Sequence, residues 1–342
     1  MAWKPLARLL WRESRASDED SDEVLVPAPA GRVHSLGEDH GRSSGLPLAK
    51  VLAAHRAWLE KGSNGVRANL ADLTLNELKL KGAKLSRAQF TRTSLLETEL
   101  SNAELVGAVF EHADLRRATF DSADLTAAEF SNSRLEGAWL RGTNLAEAKV
   151  IECSFQTAHL MESRWQEAGL QHCDFSRADL SLAAFHQARL FGCTLTAAIL
   201  SRATLYNTRL QLCGMRELRA DDANFSSAQV LECDLSHAEM VSARFTGAQL
   251  NGTLLSRSRL ATCDFRDANL QGAEFYGAML QGSRFGGAKL LGADFRGADL
   301  AGARELTSEQ LSQCRTSDET VLPNGTRGPY RKHSGAERVG QR

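Results

Sequence analysis

Residues 113–130 read Ala113-Asp114-Leu115-Arg116-Arg117-Ala118-Thr119-Phe120-Asp121-Ser122-Ala123-Asp124-Leu125-Thr126-Ala127-Ala128-Glu129-Phe130. A large apolar residue falls at 115, 120, 125 and 130, and an alanine precedes each by two positions. A period of five fits neither an α-helix nor a strand, and a coiled coil would repeat every seven. Followed outward, the large-residue series runs from Leu70 to Leu300 with no phase shift, 47 positions in all. Ala220 is the only small residue among them, and 13 of the 14 Phe residues keep the register, Phe191 being the exception. A chain that buries one large and one small side chain per unit must stack those units on copies of themselves.

The length of one turn follows from like residues. Cys153, Cys173, Cys193, Cys213 and Cys233 all sit at the small position, twenty residues apart, and Phe225, Phe245, Phe265 and Phe285 recur at the large position with the same interval. Ladders of this kind form if four units complete a coil. The expectation is an all-β solenoid with four sides and about twelve coils, a rod of roughly 55–60 Å at the strand spacing of a sheet.

The unit Ala-(Asp/Asn)-(Leu/Phe)-x-x, as in Ala113-Asp114-Leu115 and Ala178-Asp179-Leu180, resembles the pentapeptide-repeat family over residues 66–304. The resemblance implies a right-handed quadrilateral β-helix. The stretch Leu52-Ala53-Ala54-His55-Arg56-Ala57-Trp58-Leu59 is similar to the helix that often precedes such repeats. The best understood relatives bind type II topoisomerases by imitating DNA, and others are secreted effectors.

Five segments are expected. Residues 1–45 form a disordered arm: the run Ser17-Asp18-Glu19-Asp20-Ser21-Asp22-Glu23, then Pro27 and Pro29, cannot bury enough apolar surface to order itself. Residues 46–65 form a capping helix, with Leu48, Val51, Leu52, His55, Trp58 and Leu59 on one face, and Leu73 and Leu78 at small positions of the first coil mark where it packs. Residues 66–304 are the solenoid. In Met215-Arg216-Glu217-Leu218-Arg219-Ala220 the large and small positions are exchanged, so a local bulge or bend is expected there. Residues 305–323 form a C-terminal capping helix and turn: Thr307 and Gln310 fit a capping box, and Leu306 and Leu311 a hydrophobic staple. Residues 324–342 are expected to be a flexible basic tail.

No catalytic, cofactor-binding or metal site is expected. None of the seven Cys residues forms a Cys-x-x-Cys pair. The laddered thiols replace Ala in a dry position, where free Cys behaves as a small hydrophobe, and their spacing of about 4.8 Å exceeds disulfide geometry. Cys314, in the end helix, is the one expected to be reactive. The nine His residues share no metal spacing, and there is neither a Ser-His-Asp set nor a phosphate-binding glycine loop.

Two columns of outward residues stand out. Ile151, Phe191, Leu231 and Leu291 occupy one register position, with Gln171, Gln211, Asn251 and Gln271 between them. On the opposite side, Trp139, His159, Ile199 and Met279 share another. Single exposed apolar residues are ordinary, but contiguous strips mark contact surfaces. The expected function is therefore a non-enzymatic protein-interaction scaffold, with another protein as partner and self-association through a solenoid end as a second expectation.

Charge bears on the alternatives. With 41 basic and 42 acidic residues there is no bulk attraction to nucleic acid. Direct nucleic-acid binding is not expected. The repeat region has 26 basic and 28 acidic residues, too balanced for a strong DNA mimic, although Glu97 to Glu136 is locally acidic. No apolar stretch approaches the roughly 18 residues of a membrane span, and no secretory signal pattern opens the chain. The cytoplasm is the expected compartment. Trp3, Leu6, Leu10 and Trp11 with Lys4, Arg8 and Arg12 give a short basic amphipathic stretch, the one feature that favours a membrane-associated effector.

Overall fold

Each unit of five supplies three extended residues and a two-residue corner. In the computed structural model, which describes residues 24–25 and 48–339, the second residue after each large one adopts positive φ, as at Asp72 (62°), Leu182 (62°) and Gly302 (69°). That left-handed residue turns the chain through the corner, after which the next amide closes it: Ala83 N–H donates to the Leu80 carbonyl at 3.0 Å.

Between corners the chain pairs with itself one coil on. Parallel bridges link residues twenty apart from Asn69↔Gln89 to Arg284↔Arg304. Leu70 N–H donates to Gln89 O (2.8 Å), Gln89 N–H to Ala68 O (3.0 Å) and Asp72 N–H to Thr91 O (2.9 Å). Nearly every backbone group is satisfied by an adjacent coil, the condition for burying so much main chain. On one side the pairing widens into a seven-stranded parallel sheet, β3 (Val109–Glu111), β4 (Glu129–Ser131), β5 (Lys149–Ile151), β6 (Gly169–Gln171), β7 (Arg189–Phe191), β8 (Arg209–Gln211) and β9 (Gln229–Leu231). Elsewhere single bridges carry the register.

The large residues fill the interior. Phe90, Phe110 and Phe130 stack at 4.7 Å between centroids, and Phe225, Phe245, Phe265 and Phe285 stack at 4.9, 5.1 and 5.3 Å. Trp165 is fully buried and donates its indole N–H to Ser163 Oγ at 2.8 Å, the partner a buried Trp requires. A Ser or Thr at a small position reaches the carbonyl of a large residue in the preceding coil, as in Thr93 to Leu70 O (2.8 Å) and Thr208 to Phe185 O (2.7 Å). The laddered thiols use the same acceptors: Cys173 contacts Val150 O at 3.4 Å and Cys233 contacts Leu210 O at 3.6 Å.

The exchanged unit at Leu218 and Ala220 produces no bulge. Ile199, Arg219 and Glu239 remain bridged twenty apart, and both Leu218 and Ala220 are fully buried. The leucine volume moves two positions along the chain while the amount filling that coil stays the same.

Both ends are covered. α1 (Leu48–Leu59) buries Val51 and His55, and Leu48, Leu52 and Leu73 pack against the core with it. The expectation of disorder in residues 1–45 lies outside the described residues except at β1 (Val24–Leu25), which corrects it locally by pairing in parallel with β2 (Arg67–Ala68). At the other end, α2 (Ser308–Ser312) begins with both halves of the capping box at Thr307 and Gln310. Gln310 also donates to Phe285 O (3.0 Å) and Ala288 O (2.9 Å). Residues 313–323 accept from the last regular coil, as in Phe295 N–H to Arg315 O and Leu300 N–H to Val321 O, both 2.8 Å.

The expected flexible tail is corrected as far as residue 339: it folds back over α2. Tyr330 Oη bonds Ser308 Oγ (2.7 Å) and Glu337 (3.0 Å), and Lys332 pairs with Glu309 at 2.8 Å. Basic composition suggested a solvated tail. The docking is shared: the Tyr330 hydroxyl meets two partners, and the His333 amide donates to Ser308 Oγ at 3.1 Å.

Candidate functional site

The solenoid leaves three outward positions per unit: one before the large residue, and two after it, the last being the left-handed corner. Elsewhere this corner holds mostly Gly, Asn, Asp, Ser, Arg, Gln or Glu. Leu212 stands at such a corner with φ 56° and is 47% exposed. For an L-residue that conformation costs about 1–2 kcal/mol, and the half-exposed side chain gains less burial than a core position. Leu182 repeats the pattern at another corner, with φ 62° and 42% exposure.

Leu212 extends the first column. Ile151, Gln171, Phe191, Gln211 and Leu231 lie in register on consecutive strands β5 to β9. Leu212 N–H donates to Leu231 O at 3.1 Å, and Gly192 N–H to Gln211 O at 2.9 Å. Phe191, Leu212 and Leu231 therefore share one corner of the rod. The Phe191 ring meets the edge of His172 at 5.4 Å, and that imidazole lies over Gly192, where an added Cβ would come within 2.6 Å of His172 Nδ1. Ile151 is exposed one end along, and Leu291, 59% exposed, stands apart beyond Asn251 and Gln271.

The second column is not a continuous strip. Trp139 and His159 stack at 3.9 Å, with Trp139 47% exposed. Asp179 separates them from Ile199. Beyond it Glu239 bridges Arg219 at 3.9 Å and Arg259 at 2.9 Å, and this ion ladder isolates Met279. The sequence pattern placed all these residues in one column, but could not show that charged rungs between them pair along the rod.

Leu212 and Leu182 were missed because they break no apolar register. Their signal is the corner conformation, which is visible only once five residues are known to make one side and one turn.

All seven Cys are free thiols, and only Cys314 is not fully buried. Burial pushes the Cys153 thiol up to about 12. Cys314, expected to be reactive, is pushed up to about 12 by burial as well, so its thiolate is scarce at neutral pH. Among the described residues no group of three or more His, Cys, Asp or Glu could hold a metal ion, and no described helix is long and apolar enough to cross a membrane. The amphipathic stretch at residues 1–12 lies outside the described residues.

A four-sided parallel solenoid of twenty-residue coils with a paired large and small ladder is a repeat scaffold. Eight copies of the pentapeptide-repeat family model match within residues 68–314, and the chain belongs to that family. No curated protein matches it. Solved structures of similar proteins include QnrB1, a plasmid-mediated fluoroquinolone resistance protein (19% identity, 55% of this chain and 79% of that one, TM-score 0.28). HetL, a pentapeptide repeat protein involved in heterocyst differentiation regulation in the cyanobacterium Nostoc, is 23% identical over 80% of this chain and 96% of its own (TM-score 0.19). A thylakoid-lumen pentapeptide repeat protein of Arabidopsis thaliana is 19% identical over 51% and 79% (TM-score 0.16).

Proposed function

We propose that this chain is a non-enzymatic protein-interaction scaffold whose contact surface is the corner of Phe191, Leu212 and Leu231. The observation that carries the reading is Leu212, where an exposed leucine occupies a conformation that disfavours it. Neither property helps the isolated molecule, and the residue adjoins two more apolar side chains. The neighbouring column adds charge. Arg189 and Arg209 are paired directly in register, a like-charge arrangement that is unfavourable across strands. Among the described residues the Arg209 side chain donates to Gln229 (3.0 Å) without an ion pair, and Arg189 makes no ion pair. An apolar anchor flanked by carboxylates suits this surface.

The test is capture of partners by the full-length chain in its source cells, followed by affinity measurement with each purified partner. Phe191→Glu with Leu231→Glu is expected to weaken binding at least tenfold. Trp139→Glu with Met279→Glu is expected to leave it within twofold. A partner bound equally by all three proteins would overturn this surface.

Imitation of DNA is less well supported. Of the carboxylates between Glu97 and Glu136, four pair with cations: Glu97 with Arg117, Asp114 with Arg116, Glu129 with Lys149 and Glu136 with Arg134. Glu99, Glu104, Glu111, Asp121 and Asp124 are spread over three sides. A topoisomerase supercoiling assay at micromolar protein is expected to show no inhibition. Self-association through an end also has little to recommend it, since both ends carry their own covering segments. Light scattering after size-exclusion chromatography is expected to report a monomer.

A further inference from the structure

The N-terminal end of the rod is its most basic part. From Leu48 to Arg92 the chain carries nine basic residues against three acidic ones. Arg56 pairs with Glu60, and Arg92 with Asp72. Lys61, Lys84 and Arg87 are exposed and make no ion pair among the described residues. Lys61 and Arg87 line an open cleft of about 490 Å³ between the end of α1 and the first coils. Its other walls include Trp58, Leu59, Ser86 and Val106. The cleft thus offers cations above an apolar wall.

The strand pair β1–β2 says what lies next to it. Val24 is in register with Arg67 and Leu25 with Ala68, in parallel. In a parallel pair both strands run the same way, so the N-terminal end of β1 is beside the N-terminal end of β2, which Lys61 precedes by six residues. Arg87 belongs to the same corner one coil on, since Arg67 Nε donates to its carbonyl at 2.7 Å. The residues before Val24 are Asp18-Glu19-Asp20-Ser21-Asp22-Glu23, five carboxylates in six positions. Six extended residues reach about 20 Å, against a step of about 4.8 Å between coils. Further along the rod Glu99, Glu104 and Glu111, which make no ion pair among the described residues, disfavour such a segment.

We propose that Asp18–Glu23 docks in cis on the Lys61–Arg87 cleft, so that the chain's own acidic segment is the occupant of this basic end. Opposite charges at this surface attract over a Debye length of about 10 Å at 0.1 M salt, so the contact weakens as salt rises. The segment then also shields the first coil edge, which β1 only partly covers.

Hydrogen exchange of the full-length chain tests this at low and high salt. The variant combines Asp18→Asn, Glu19→Gln, Asp20→Asn, Asp22→Asn and Glu23→Gln. At low salt, amides of residues 58–66 are expected to exchange at least threefold faster in the variant, while residues 140–300 stay unchanged. High salt is expected to bring the natural chain to the variant's level. Lys61→Glu with Arg87→Glu is expected to give the same loss, and adding Asp20→Lys and Asp22→Lys to restore protection. Equal exchange in natural and neutralised chains at low salt would overturn the proposal. So would protection that rises with protein concentration, which would make the occupant a second copy's segment, or failure of the reversed charges to restore it.

Discussion

The exchanged unit at Leu218 and Ala220 allows the packing logic of the whole solenoid to be tested within one coil. Leu218 stands in register between Ala198 and Ala238, and Ala220 between Leu200 and Met240, with all six side chains essentially buried. Leu218→Ala alone removes the large side chain of this unit and leaves a void, at a cost of about 2–5 kcal/mol. Ala220→Leu alone adds a leucine to a filled coil, at a cost of about 1–3 kcal/mol. Together the two changes restore the ordinary order of small then large at constant volume, and the double variant is expected within about 1.5 kcal/mol of the natural chain. The coupling between the changes is thus at least about 1.5 kcal/mol, within the range for side chains in contact. Because long repeat arrays need not unfold in one step, the proper assay is hydrogen exchange of residues 215–240, with urea unfolding alongside. Two single penalties that simply add in the double variant would refute volume conservation as the reason the register survives.

His55 predicts a pH response. Its Nδ1 accepts from Ala68 N–H at 3.1 Å, and burial lowers its pKa below the ordinary value, outweighing the Ser86 backbone carbonyl that raises it. The unfolded chain takes the proton first, so this contribution is complete above pH ~6.5 and declines as pH falls below it. After correction for intrinsic rates, α1 amides are expected to exchange faster at pH 5.5 than at 7.5, and His55→Gln to flatten the difference. Thr307→Ala removes the Oγ1 acceptor of the Gln310 amide (3.1 Å) and is expected to cost about 1 kcal/mol, read as faster exchange in residues 308–323 but not in 140–240. Thiol labelling at pH 8 is expected to leave six Cys unmodified in the folded chain and to modify Cys314 slowly. Rapid modification of Cys314 would contradict the upward push of its pKa.

The interior was legible in sequence because every side chain there meets its counterpart twenty residues away, so one rule governs each position from Leu70 to Leu300. The caps were legible for a related reason: Thr307 and Gln310 satisfy named backbone groups at a fixed spacing. The candidate contact surface was only half legible. Periodicity placed Phe191 and Leu231 in one column, and it equally placed Ile199 and Met279 in another, which the Arg219–Glu239–Arg259 ladder breaks. Outward positions answer to no such common rule, so the ladder, the docked Tyr330 and the cleft at Lys61 emerge only when side chains from separate coils or segments are brought together.

Departures from the unit rule then divide into two kinds with different meanings. At Leu218 and Ala220 the departure is internal, and the volume lost at one position is recovered at the other, so it has no outward consequence. At Leu212 the departure is external. The side chain is 47% exposed at φ 56°, and relief of about 1–2 kcal/mol of strain by glycine would be offset mainly by the unfolded chain's extra entropy. Glycine stands at many equivalent corners, including Gly252, Gly272 and Gly292 in this same column. A leucine there brings the isolated rod no compensating burial comparable to a core position. In the proposed reading its compensation comes from contact outside the chain, and for that reason Leu212, rather than the more conspicuous Trp139, is the residue on which that proposal rests.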